Sequence, residues 1–109
     1  MIIYNVTVSV DEALHEQWLV WMRDTHVPEV LATGHFLEAR ICRVMSDDEG
    51  SISYAVQYTC TDMTSYELYD TLHAPRLRAE SEKYYGGRAV AFRTLLEVVH
   101  TFPSTSRAE

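Results

Sequence analysis

The chain has 109 residues, 47% of them hydrophobic and 23% charged, the make-up of one globular domain with no room for a second. Sixteen acidic residues against nine basic ones give a net charge of −7, and no basic run supplies the concentrated positive surface that phosphate binding needs, so nucleic acid is not an expected partner. No apolar stretch approaches the roughly 18 residues of a membrane span, and Met1 runs straight into an alternating segment without the basic start of a signal peptide, so the expectation is a cytoplasmic protein without a membrane partner.

Ile2 to Val10 alternates, with Tyr4, Val6, Val8 and Val10 on one face and Ile3, Asn5, Thr7 and Ser9 on the other, which predicts a half-buried strand. Asp11 is placed to cap a helix starting at Glu12, whose broad apolar face carries Leu14, Trp18, Trp21 and Met22. That helix is expected to break near Val27, because a residue before proline is pushed out of the α region, with Pro28 starting a short turn closed by Gly34. Phe36 to Met45 and Ser51 to Cys60 flank the polar loop Ser46, Asp47, Asp48, Glu49 and Gly50 and read as a hairpin. The loop carboxylates are expected to be solvated.

Asp62 or Thr64 then caps a helical segment whose apolar side is read as Leu68, Leu72 and Ala79, interrupted at Pro75 and ended near Gly86 and Gly87. A last strand from Arg88 to Thr101 is expected to turn Val90, Phe92, Leu96 and Val98 to the core and Arg93, Leu95, Glu97 and Val99 away from it. Residues 1–102 make the single domain and 103–109 a frayed tail. Cys42 and Cys60 lack Cys-x-x-Cys or Cys/His spacing, so the expectation is two reduced thiols and no metal.

The order β-α-β-β-α-β predicts an α+β, ferredoxin-like fold, a four-stranded antiparallel sheet with its helices on one face. The triplets His26-Val27-Pro28 and His73-Ala74-Pro75 echo one another in the two halves. The second sheet face mixes Ile3, Leu95 and Val99 with Asn5, Thr7, Gln57, Arg93 and Glu97, which suits contact with a symmetric copy and predicts a homodimer.

The opening MIIYNVTV, the run EQWLVWMRDTHVPEVLATGHF, with its W-x-x-W-M-x-x-x-H-x-P pattern, and AFRTLLEV near the end resemble a small bacterial single-domain family of unknown function. The architecture is also similar to the dimeric α/β barrel superfamily, whose members include monooxygenases, haem-degrading enzymes and isomerases. That resemblance implies a homodimer with a cavity between sheet and helices, and it transfers no reaction.

The expected function is binding of a small, partly apolar molecule in that cavity, with Trp18, Met22 and Tyr58 as apolar contacts. Alternatives are a monooxygenase or isomerase working by proton transfer at His26, a haem enzyme ligated by His73, and a non-catalytic dimer. No cofactor is expected outside the haem alternative. His26 is the first catalytic candidate, because an imidazole titrates near neutrality; on an ideal helix it projects about 20° from His15. A histidine bonded to a carbonyl freed at Pro28, or favoured by a helix C-terminus, is the structural alternative. His73 needs an apolar slot beside it, which Tyr66, Tyr69, Trp18 and Trp21 could line. Asn5, Gln57 and Arg93 are read onto one face, where two amides and a guanidinium could hold a carboxylate; pairing of Arg93 with Glu97 is the alternative.

Overall fold

The computed structural model describes residues 1–46 and 49–105. The chain runs β1 (Ile2–Asp11), α1 (His15–Trp21), a π-helical turn (Met22–His26), α2 (Val27–Ala32), β2 (Glu38–Arg43), β3 (Ser51–Cys60), α3 (Met63–Leu72), α4 (Ala74–Tyr85) and β4 (Ala89–Glu97). The strands form one antiparallel sheet in the order β2-β3-β1-β4. This is the ferredoxin-like arrangement, with the helices on one face. Of the hairpin loop acids, Glu49 is exposed, while Asp47 and Asp48 lie outside the described residues.

Alternation fixes which side chains reach the core. Tyr4, Val8 and Val10 from β1 and Tyr54, Val56, Tyr58 and Cys60 from β3 are buried beneath the helices, together with Trp18, Met22, Tyr69 and Leu77. Cys60 faces this core and Cys42 the opposite side of the sheet, where it pairs with Ala55, and both thiols are free.

Four local expectations are corrected. Asp11 belongs to β1 and accepts a hydrogen bond from the Ala13 amide at 3.0 Å. The helix starts three residues after Glu12, because this short turn satisfies the chain first.

The first helical segment does not break before Pro28. Proline has no N–H and its ring crowds the carbonyl four residues back; here the looser turn absorbs that misfit. The Val27 amide bonds to the Met22 carbonyl, five residues earlier, and both His26 and Val27 keep α-region dihedrals. Gly34, at φ +83°, ends the segment. The second His-x-Pro triplet behaves differently: His73, at φ −125°, separates α3 from α4, and Pro75 sits in the first turn of α4.

The inner side of the second helical segment is Tyr69, Ala74, Leu77 and Tyr85, whereas Leu68, Leu72 and Ala79 are exposed. Tyr69, Leu77 and Tyr85 recur every eight residues, so the inner stripe runs on through the interruption at His73 and lies one position away from the stripe that Leu68 and Leu72 suggest.

The fourth correction concerns β4. Val6 pairs with Arg93, Tyr4 with Leu95 and Val8 with Ala91, so the odd-numbered residues face the helices. Val90, Phe92 and Leu96 lie on the open face beside Ser9, Thr7 and Ile3, with Val90 66% and Phe92 63% exposed. A strand's two faces exchange on a one-residue shift, and here the apolar set marks the uncovered face of an edge strand. Arg93 therefore does not share a face with Asn5 and Gln57.

Candidate functional site

A cavity of about 60 Å³ lies between the inner face of the sheet and the helices. It lies where β4 presents the small side chains Ala89 and Ala91 to the helices, followed by Arg93 in the same inward-facing row. Trp18, Met22 and His26 line one wall, Tyr4 and Tyr58 the floor, and Tyr69, Arg78 and Ser81 the wall from α3 and α4. Arg93 lines the side toward the exposed edge strand.

The π turn aims His26. Along an uninterrupted α-helix His26 would project about 80° away from Trp18, but the looser turn winds back and keeps Trp18, Met22 and His26 on one wall. The imidazole stacks on Trp21 with ring centroids 4.9 Å apart. Its Nδ1 is buried without a hydrogen-bond partner, so it is not held by a carbonyl freed at Pro28, and the helix runs on past it. Burial pushes the imidazole below its ordinary value of 6.5; the Glu80 carboxylate opposes this and the Arg93 guanidinium adds to it. At neutral pH His26 is an uncharged imidazole. His15 is elsewhere, its Nδ1 2.8 Å from the Tyr54 hydroxyl in a separate surface groove.

Tyr4 is the centre of the site. Its ring packs against Tyr58, Tyr66, Tyr69 and Phe36. Its hydroxyl oxygen accepts from Arg78 Nη2 at 3.2 Å and from Arg93 Nε at 3.0 Å. Arg78 Nη2 also donates to Asp70 at 3.0 Å, while Arg78 Nε is buried without a partner. Burial works against the Arg78 charge, yet the bonds to Tyr4 and Asp70 outweigh it and hold the guanidinium firmly protonated. Burial pushes the Tyr58 and Tyr69 phenols up, so both keep their protons at any neutral pH.

The expected site residues thus divide. His26, Trp18, Met22, Tyr58 and Arg93 meet at the cavity; Asn5, Gln57 and His73 do not. Asn5 and Gln57 lie on the open face in a bonded series, Arg40 Nε to Gln57 at 2.7 Å, Gln57 Nε2 to Asn5 at 3.2 Å and Asn5 Nδ2 to Thr7 at 3.1 Å. The guanidinium in this series is that of Arg40, bonded to Gln57 at one end. Arg93 bonds to Tyr4 on the other side of the sheet.

His73 lies beside His35, with ring centroids 5.3 Å apart and the rings tilted by 46°, and lines a shallow surface depression with Glu29, Thr33 and Arg76. These polar walls do not fit a haem, and the cavity itself is far below the roughly 300 Å³ at which cofactor-sized pockets begin.

Sequence reasoning missed Tyr4, Arg78 and Ser81 as site residues. A signal was present for two of them, since Ala74, Leu77, Arg78, Ser81 and Tyr85 recur at helical spacing, and an arginine and a serine within such a buried stripe point to a polar wall.

Among solved structures, a dimeric ferredoxin-like protein from an uncultured marine organism is similar, with 17% identity, 93% of this chain and 98% of that chain covered, and a TM-score of 0.60. A de novo designed protein with a ferredoxin fold is similar at 16% identity, with 98% and 95% coverage and a TM-score of 0.50. At these identities the likeness shows the fold alone. No protein of curated function matches. The family described as Domain of unknown function (DUF4286) matches residues 1–99, and the chain belongs to that family.

Proposed function

We propose that this protein is a cytoplasmic homodimer that binds a small, partly apolar molecule in the cavity between sheet and helices. The observation that carries the binding reading is a pair of orphaned polar atoms. His26 Nδ1 and Arg78 Nε are both buried without a hydrogen-bond partner, and both residues line the same cavity. Buried polar groups are nearly always satisfied, so two unsatisfied ones in one cavity favour a polar guest that completes them. Trp18, Met22 and Leu77 favour an apolar portion in the same guest.

The dimer reading rests on the open face. Ile3, Val90, Phe92 and Leu96 form an apolar strip beside a self-satisfied polar series, a surface suited to a symmetric copy of itself. The similar marine protein is described as dimeric. Native mass spectrometry of protein isolated gently from its own cells tests both readings. A dimer carrying a small retained mass supports them. An empty dimer that no small molecule stabilises in a thermal-shift panel overturns the binding reading, and a monomer overturns the dimer.

Proton-transfer catalysis is a second reading, favoured by one observation: His26 is held neutral by burial at a cavity wall, the state of a general base. Conversion of a retained ligand by wild type and not by His26→Gln would support it.

A further inference from the structure

The cavity wall carries two guanidiniums, Arg78 and Arg93, and no carboxylate, in a chain whose net charge is −7. Asp70 reaches Arg78 only at Nη2, and it stands outside the wall. Both guanidiniums converge on one neutral oxygen, the Tyr4 hydroxyl, in a residue only 3% exposed. A phenol oxygen has two acceptor positions, and here both are taken, so the Tyr4 hydrogen is left to donate.

The site has more donors than acceptors. Arg78 Nε has no partner, and among the described residues Arg93 makes no side-chain bond beyond the one to Tyr4. Tyr4, Tyr58 and Tyr69 add hydroxyl hydrogens. A guest that only accepts hydrogen bonds and carries negative charge answers both imbalances, and an ionised carboxylate is such a group, matching the planar fork of arginine. The volume of about 60 Å³ and the apolar walls from Trp18 and Met22 limit the rest of the guest to a short hydrocarbon. With Asp70 bonded to Arg78 and the Glu80 carboxylate acting on His26 at the cavity wall, the site suits no more than a single negative charge.

We propose that the cavity binds a short-chain monocarboxylate, an acid of about two to four carbons, with its carboxylate between Arg78 and Arg93 above Tyr4 and its hydrocarbon end toward Trp18 and Met22. This rests on the cavity-binding reading above and names its ligand class.

The test follows the arginine side-chain Nε–H signals in ¹H–¹⁵N spectra at constant ionic strength. The protein is titrated with acetate, propionate and butyrate, and separately with acetamide, propionamide and sodium chloride. Saturable shifts of the Arg78 and Arg93 signals by the acids, with the amides at least about tenfold weaker, are expected. Arg93→Gln, at an exposed position, is expected to lose that preference, and Arg93→Lys to retain part of it. Equal binding of acid and amide overturns the carboxylate assignment while leaving the cavity reading in place. Shifts matched by chloride overturn the assignment as well. Absence of saturable binding by every acid and amide overturns the short-chain assignment, and the cavity reading is then overturned only if the protein also carries no retained ligand and no small molecule stabilises it.

Discussion

Arg93 and Tyr4 meet on the helix side of the sheet, where the arginine Nε donates to the phenol oxygen at 3.0 Å. The register explains the meeting: Arg93 lies across from Val6 and Leu95 across from Tyr4, so Arg93 is the diagonal neighbour of Tyr4 on the same face. An arginine on the inner face of a sheet edge would be costly under a helix. It is tolerated here because β4 is exposed along most of its length and the guanidinium reaches water beside the cavity.

Tyr4→Phe keeps the aromatic packing and removes only the shared acceptor. Arg93 can rehydrate and Arg78 retains Asp70, so the expected cost is about 1 kcal/mol, the net worth of ordinary hydrogen bonds. Urea denaturation measures it. The Arg93 Nε–H signal is expected to move toward that of free arginine, and a loss of several kcal/mol with no such movement would mean that the aromatic cluster had been disturbed instead.

The apolar strip on the open face gives a second expectation. Under the dimer proposal, Phe92→Lys places a charge in the interface while leaving the monomer's core untouched, since Phe92 is already exposed. Sedimentation at tens of micromolar should show wild type as a dimer and the variant as a monomer with unchanged circular dichroism. A variant that stays dimeric would place the interface elsewhere.

Much of this architecture is legible in the sequence because alternation in β1 and β3 and the cap at Asp62 depend on near neighbours. Asp62 accepts from the Ser65 amide at 2.9 Å, as an N-cap should. The facing of β4 is not local. Val90, Phe92 and Leu96 read as a core stripe, and only pairing with β1 shows that they point outward. The same distinction divides the site. Trp18 and Met22 are visible as one helical face, and His26 joins them only through the π turn, whereas the meeting of Tyr4, Arg78 and Arg93 joins residues 74 and 89 positions apart in the chain. The π turn was hidden too, because Pro28 signals misfit without saying whether the helix breaks or loosens.

Trp18 is 1% exposed and stacks on Tyr54 with centroids 5.2 Å apart. Trp18→Ala is expected to cost roughly 3 to 5 kcal/mol, the transfer and cavity cost of losing a large core ring. Trp21 is only partly buried, resting on His26, Tyr84 and Tyr85, so Trp21→Phe should cost clearly less. Native fluorescence should therefore show one emitter shielded from iodide and one partly quenched, and two equally accessible tryptophans would contradict the packing.

His26 couples stability to pH in a definite direction. Its folded-state pKa is held below 6.5 by burial, while in the unfolded chain it returns to the ordinary value. As pH falls through that value, the unfolded state takes up a proton that the folded state refuses, so this residue's contribution is complete above 6.5 and is lost progressively below it. Glutamine cannot titrate. His26→Gln should therefore flatten the decline in stability between about pH 7.5 and 5, while leaving stability at neutral pH within about 1 kcal/mol of wild type, since Nδ1 has no partner to lose. Denaturant titrations of both proteins across that range, with an imidazole NMR titration, make the comparison. Under the binding proposal the same variant weakens a cavity ligand at neutral pH, whereas a merely structural histidine leaves ligand affinity unchanged. An undiminished acid slope in His26→Gln would show that other groups carry the pH dependence and that the imidazole is not held neutral by its surroundings.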